Sequence, residues 1–198
     1  MIILVASVVL AIGVVIYGTS LFQTGAQQEV ITIRGVSMWV NATNSTGVGW
    51  GAAAIRNSGD KLVSLDIIQV RGTTVPFINF YVEKNQSAVT VENYQSQFIH
   101  TTNDRGGKMK DSTAYTGLSQ CPAGGNTVRI DLDGIGTKPS LCLKRITGPV
   151  SLNPGERLIV YFRLPDGIVS SIDSGTAANV SIFAGKTGAP ITTIISNP

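Results

Sequence analysis

The chain of 198 residues has one histidine, two cysteines and few charges, with Asp, Glu, Lys and Arg together making up 14%. Each scarcity removes a class of function. His100 is the sole neutral-pH base, it sits in a polar stretch, and no G-x-S-x-G elbow accompanies it, so a catalytic triad has no framework. Cys121 and Cys142 lack C-x-x-C spacing, which excludes a dithiol redox centre. The net charge of +3 is not gathered into a patch. Lys108 and Lys110 flank a methionine, Lys144 and Arg145 stand alone, and no aromatic side chains interleave with them, against the pattern of a nucleic-acid reader. Asp131 and Asp133 in RIDLDGIG resemble half of a calcium loop, but the other oxygen ligands are missing and strand alternation accounts for the pair. The glycine patches GVGWG and PAGG lack the Lys–Ser/Thr of a phosphate loop and read as turn and edge geometry. The expectation is a protein that is not an enzyme and uses no metal or cofactor.

What the chain does have is an apolar start. MIILVASVVLAIGVVIYGTSLF carries no charge, and the first charged residue is Glu29. As a helix, this run would extend about 33 Å, enough to cross a bilayer core. Its β-branched and leucine residues cover every face, so it must be surrounded by lipid or by other protein. Ser7 and Ala11 have small-xxx-small spacing, and Gly13 and Gly18 open further room for close helix approach. The run is too long for the apolar region of a signal peptide. Neither end has the basic residues of an ordinary anchor, so a basic leader removed by processing is expected. Residues 1–28 therefore form one unit, a hydrophobic helix.

After the polar hinge QTGAQQ, the pattern changes to a period of two. Strand segments follow one another: EVITIRGVSMWVN, GWGAAAIRN, KLVSLDIIQVRG, TVPFINFYVEK, TVRIDLDGI, SLCLKRI, ERLIVYFRL, NVSIFAG and APITTIIS. The last two are joined by KTG as a hairpin, and the turn signals NSGD, NPGE and LPDG separate others. In ERLIVYFRL, Leu158, Val160, Phe162 and Leu164 face one way and Ile159, Tyr161 and Arg163 the other. Residues 29–198 read as an extracellular antiparallel β-sandwich, Ig-like, with a long polar surface loop over 95–125. The even cysteine count, the secreted composition and the CPAGGNT loop predict a Cys121–Cys142 disulfide, worth about 3 kcal/mol in the chain-entropy model. Sequons at Asn41, Asn44, Asn85 and Asn179 are N-glycosylation candidates, Asn179 standing apart because it begins a strand.

An uncharged N-terminal rod, a polar hinge and a β domain without a reactive site resemble the archaeal type IV pilin superfamily, which includes adhesion pilins and archaellins. The likeness is strongest in MIILVASVVLAIGVVIYGTSLFQTGAQQEV and weaker in AAIRNSGDKLVSLDIIQVRG and LNPGERLIVYFRLPDG. Val5 stands where bacterial type IV pilins carry glutamate, as archaeal members commonly do not. The resemblance implies an α+β chain whose long N-terminal helix polymerises into a filament core. Ile3, Leu4, Ser7, Val8, Ala11, Ile12, Gly13, Val15, Gly18 and Phe22 are its packing residues. It implies a helical homopolymer, membrane residence before assembly, an extracellular location and adhesion to surface or cell targets. Two alternatives stay open: an archaellin of a motility filament, and a single-pass, membrane-anchored surface binding domain.

Overall fold

The computed structural model describes residues 2–26, 29–40, 49–84, 109–111, 127–130 and 141–196. It begins with a helix, α1 (Ile2–Ala26). Twelve described strands follow: β1 (Ile31–Val40), β2 (Gly49–Asn57), β3 (Val63–Val70), β4 (Thr73–Thr74), β5 (Phe80–Lys84) and β6 (Met109–Asp111), then β7 (Thr127–Ile130), β8 (Leu141–Arg145), β9 (Val150–Leu152), β10 (Arg157–Arg163), β11 (Ala177–Ala184) and β12 (Thr187–Ser196). The segment TVPFINFYVEK is not one strand. Pro76 has no N–H to offer a ladder, and the chain makes a 3-10 turn over Phe77–Asn79 before β5 begins.

The strands hydrogen-bond in one path, β4-β3-β11-β12-β1-β2-β10-β5-β8-β7-β6, with β9 paired to β3 off the path. This overturns the expected α+β fold of a long helix followed by an Ig-like sandwich: the chain is mostly β, with one N-terminal helix and a sheet curled into a half-barrel. The physical reason is β1. It pairs antiparallel with β2 on one side and parallel with β12 on the other, through Met38↔Ile195 and Trp39↔Ser196. A sandwich would leave open edges at that place; here a parallel pair joins them.

Curling places one face of the sheet inside. Met38, Val40, Ile55, Leu65, Ile68, Phe80, Leu158, Val160, Phe162, Val180 and Ile182 meet there in one apolar cluster. The alternation in β10 is present, yet its other face is also buried, with Ile159 and Tyr161 at 0% and 1% exposure. On that second face, Trp39 meets Tyr161 edge-on with ring centroids 6.1 Å apart, and Trp50 meets Tyr81 at 5.7 Å. The central strands β2 and β10 are therefore covered on both sides.

That environment explains the glycines of GVGWG differently from turn and edge geometry. Gly49 and Gly51 lie in β2, which is flanked by β1 and β10. The Phe162 ring fills the place of a side chain at Gly51, where an added Cβ would stand 2.2 Å from the ring. The hairpin between β11 and β12 is also tighter than KTG: Ala184 pairs with Thr187 around a two-residue turn, and Gly185 has φ +61°.

Among the described residues, the one buried polar side chain is Asn57. Its Nδ2 donates to the carbonyls of Lys61 (2.7 Å) and Leu152 (2.9 Å), and its Oδ1 accepts from the Gly59 amide (3.0 Å). Its backbone N–H donates to the Glu156 carbonyl, and its carbonyl accepts from the Gly155 amide. The turns NSGD and NPGE are thus tied together through one residue, by its side chain and its backbone together. Asn57→Ala, which strands these partners in the interior, is expected to lower unfolding free energy by roughly 2–4 kcal/mol. Gly51→Ala is expected to cost about 1–3 kcal/mol through overpacking against Phe162. Denaturant titration of the full chain in detergent checks both, and a loss under about 0.5 kcal/mol for either would refute the role given to that residue.

Candidate assembly surface

In α1, every described residue from 5 to 17 is exposed. Leu10, Val14 and Tyr17 are 69–70% exposed, and even the least exposed of the large apolar side chains, Val8, is 49% exposed. No acidic residue stands in the first turn and no basic residue in the last, so nothing charged complements the helix dipole. The Thr19 hydroxyl donates back to the carbonyls of Val15 (2.9 Å) and Ile16 (3.0 Å), which removes its demand for water. The described surface is dominated by apolar side chains on every side, and the Thr19 hydroxyl is satisfied internally.

The packing residues expected from the sequence do not share one face. At 3.6 residues per turn, Ser7, Ala11 and Gly18 fall along one stripe, while Gly13 lies about 160° round the helix from Ala11. Val9, Leu10, Gly13, Val14, Tyr17 and Gly18 line a shallow apolar groove. A Cβ at Gly13 or Gly18 would meet nothing within 4 Å. Small residues thus open the rod on two sides. Val8, Ile12 and Val15 lie on α1 as exposed apolar groups, and Ile3, Leu4 and Phe22 lie outside its described side chains. Among the described residues, no helix is long and apolar enough to cross a membrane. The side chains described in α1 span residues 5–19, about 22 Å of helix against a bilayer core of about 30 Å.

Glu29 and Val30 follow the rod and enter a socket made of two turns. The Val30 carbonyl accepts from the amides of Ser58 (2.8 Å) and Gly59 (3.1 Å) in the turn after β2. The Glu29 carbonyl accepts from the Thr187 hydroxyl (2.8 Å), and its carboxylate Oε2 accepts from the Lys186 amide (3.0 Å). Glu29 was visible in the sequence as the first charge, but nothing local marked a partner 157 residues away.

Asn179 is exposed on β11, with its Oδ1 accepting from the Thr192 hydroxyl across the ladder at 2.9 Å. Asn41, Asn44, Asn85, Cys121, His100, Asp131 and Asp133 lie outside the described residues, as does the expected loop 95–125 except for Met109–Asp111, which form strand β6 paired with β7 rather than loop. Cys142 is on β8, and its side chain is likewise outside them. Among the described residues, no three His, Cys, Asp or Glu side chains gather into a metal-sized cluster.

One polar joint holds a titratable group with a displaced pKa. Asp173 closes a capping box on the 3-10 turn Ser171–Asp173, its Oδ2 accepting from the Ser170 amide (2.7 Å) and hydroxyl (2.9 Å). Its Oδ1 accepts from Arg71 Nη1 at 3.0 Å, and Arg71 Nη2 reaches the Thr176 hydroxyl at 3.2 Å. Arg71 itself has φ +51°, a left-handed conformation costly for a side-chain-bearing residue, and Gly72 follows at φ +79°. The Ser170 amide, then its hydroxyl, then the Arg71 guanidinium hold the Asp173 carboxyl below the usual carboxylate range. These bonds close a turn. No protein-family model and no curated protein matches the chain.

Because the folded carboxyl binds its proton more weakly than an unfolded aspartate, the Asp173 joint contributes fully above about pH 3.9. Its contribution is lost as pH falls through the lower folded value. At neutral pH, Asp173→Asn is expected to be less stable than the native chain by about 1 kcal/mol. The two stabilities should converge on acidification, and thermal melts across an acid series check this. A gap that stays constant down to about pH 2 would overturn it.

Proposed function

We propose that the chain is a structural subunit of an extracellular filament of the archaeal type IV pilus kind, serving surface adhesion and polymerising through α1. The observation that carries this reading is a helix with nine exposed large apolar side chains between Val5 and Tyr17 and no polar face to turn toward water. Each is worth about 1.5–3 kcal/mol when buried, so on the order of 10 kcal/mol or more favours covering the rod. Neighbouring rods supply that cover in a filament. Small residues on two sides suit it, because a rod inside a bundle is contacted from more than one direction. Contacts of one subunit on the next that do not close into a ring generate a helix of subunits. Lipid as the cover before assembly, and the cell exterior as the location, belong to the same proposal. So do glycans on the sequons and the Cys121–Cys142 bridge.

The test is direct. Deleting residues 1–27 is expected to give a soluble, monomeric, cooperatively unfolding β domain that forms no fibres. Ala11→Leu together with Gly13→Leu fills both sides of the rod and should reduce filament yield, since overfilling a tight interface costs about 1–3 kcal/mol per site. Negative-stain microscopy and sedimentation read both. Fibres from the truncated domain would place assembly in the β strands, and normal filaments from the double variant would refute close packing at Ala11 and Gly13. An apolar rod that yields monomers alone under every assembly condition would favour a membrane-anchored surface domain instead.

A further inference from the structure

We infer that Glu29 is a positioning residue which fixes where, and at what angle, the rod leaves the β domain, by gripping the β11–β12 hairpin. Three observations lead there. The first concerns β1 and β12, which share two ladder pairs, both at the far end of β1 from the rod. Toward the rod, the two strands are joined by side-chain hydroxyls: Thr193 donates to the Val36 carbonyl at 3.0 Å, and Thr187 to the Glu29 carbonyl at 2.8 Å. The seam beside the start of β1 is thus laced by a few bonds and lacks a continuous ladder there.

The second observation is the shape of the hairpin turn around the Glu29 carboxylate. The Lys186 amide points at Oε2 at 3.0 Å. Gly185, at φ +61°, leaves space in which an added Cβ would stand 2.7 Å from that same oxygen. The neighbouring amide of Gly185 is already engaged by the Ser64 carbonyl at 2.9 Å, with Asp66 Oδ2 at 3.3 Å. Glu29 and Asp66 therefore approach the turn by different amides, and the Lys186 amide is left to Glu29.

The third observation is position. Glu29 is the first charged residue of the chain, three positions beyond the last residue of α1. A rod with no polar face has no directional bond of its own with which to fix its orientation. Among the described residues, direction has to come from the first group after it that is bonded to the β domain. Glu29 supplies that on the hairpin side, and the Val30 carbonyl on the opposite side through Ser58 and Gly59. Two turns hold the chain between them. The consequence for assembly rests on the filament reading: a fixed exit makes every copy present its β domain alike, which a regular helical lattice requires.

The experiment uses the full chain in detergent micelles, with amide exchange and residual dipolar couplings measured for the native protein, Glu29→Ala, Glu29→Gln and Gly185→Ala. In Glu29→Ala, exchange of the Lys186 amide should accelerate about tenfold while Val180 and Ile182, in the same strand pair, keep their protection. Couplings in α1 should fall relative to those in the sheet. Glu29→Gln retains an acceptor oxygen and should restore both values, whereas Gly185→Ala, which crowds the carboxylate, should resemble Glu29→Ala. Unchanged Lys186 exchange in Glu29→Ala overturns the proposal. So does a rise shared by every ladder amide, which would mark a general loss of stability, and so does a native rod whose couplings already average independently of the sheet. Filament formation by the native chain is scored separately, so failure of the filament reading leaves the grip on the hairpin decided by the exchange and coupling data.

Discussion

The β domain depends on one buried amide. Asn57 ends β2 with both its backbone groups and its side chain bonded, and those bonds reach the turns before β3 and before β10. A buried primary amide left partly unpaired is costly, so its full satisfaction makes the two turns adopt one mutual arrangement. The turn after β2 then presents the Ser58 and Gly59 amides to Val30. The socket that receives the chain after α1 is thus built outward from Asn57.

The half-barrel follows from a second constraint, the geometry of β1. Its register shifts between Arg34 and Ser37, where Gly35 takes φ +59°. A bulge of this sort bends the strand and strengthens its local twist. Beyond it, Met38 and Trp39 come into ladder distance of Ile195 and Ser196; before it, threonine hydroxyls span the gap. One strand therefore belongs to two halves of the sheet, closed at one end and laced at the other. The loose end of that seam is also the end at which the rod joins.

Much of this was legible in the sequence, for reasons that differ by element. The rod announces itself because lack of charge over so long a stretch has few physical outcomes. The strand segments show because alternation is a local property, as in Leu158, Val160 and Phe162. Pairing of β1 with β12 is not local: it joins residues near 38 to residues near 195 and leaves no mark in either stretch. That is why two facing sheets were expected where one curled sheet forms. GWGAAAIRN reads as a strand segment, yet its glycines Gly49 and Gly51 read as turn and edge geometry, because a sequence cannot show that a phenylalanine ring more than a hundred positions away occupies the space above one of them. A signal was present in GWGAAAI, whose near-continuous run of small and apolar residues fits a strand buried on both faces. Glu29 had no such signal beyond being first.

Rod and domain are stabilised by different physics, and the joint between them has to reconcile the two. Burial of the rod is driven by apolar area, which is large and indifferent to direction: any apolar neighbour at any rotation recovers much of it. In the proposed filament the small residues Ala11 and Gly13 would let neighbours come close, yet being on opposite sides they do not choose a single partner face. The β domain, in contrast, is held by bonds with fixed lengths and angles at Asn57, Arg71 and Asp173. Orientation in an assembly of such chains must therefore be transmitted from the directional part to the non-directional part. The only residues at which that transfer takes place in the described structure are the two that follow the hinge. A carboxylate is well suited to the task, because its bond to a hairpin amide is charge-assisted and directional. Placing this group first after an uncharged helix keeps the helix fit for an apolar environment and gives the domain a fixed point to hold.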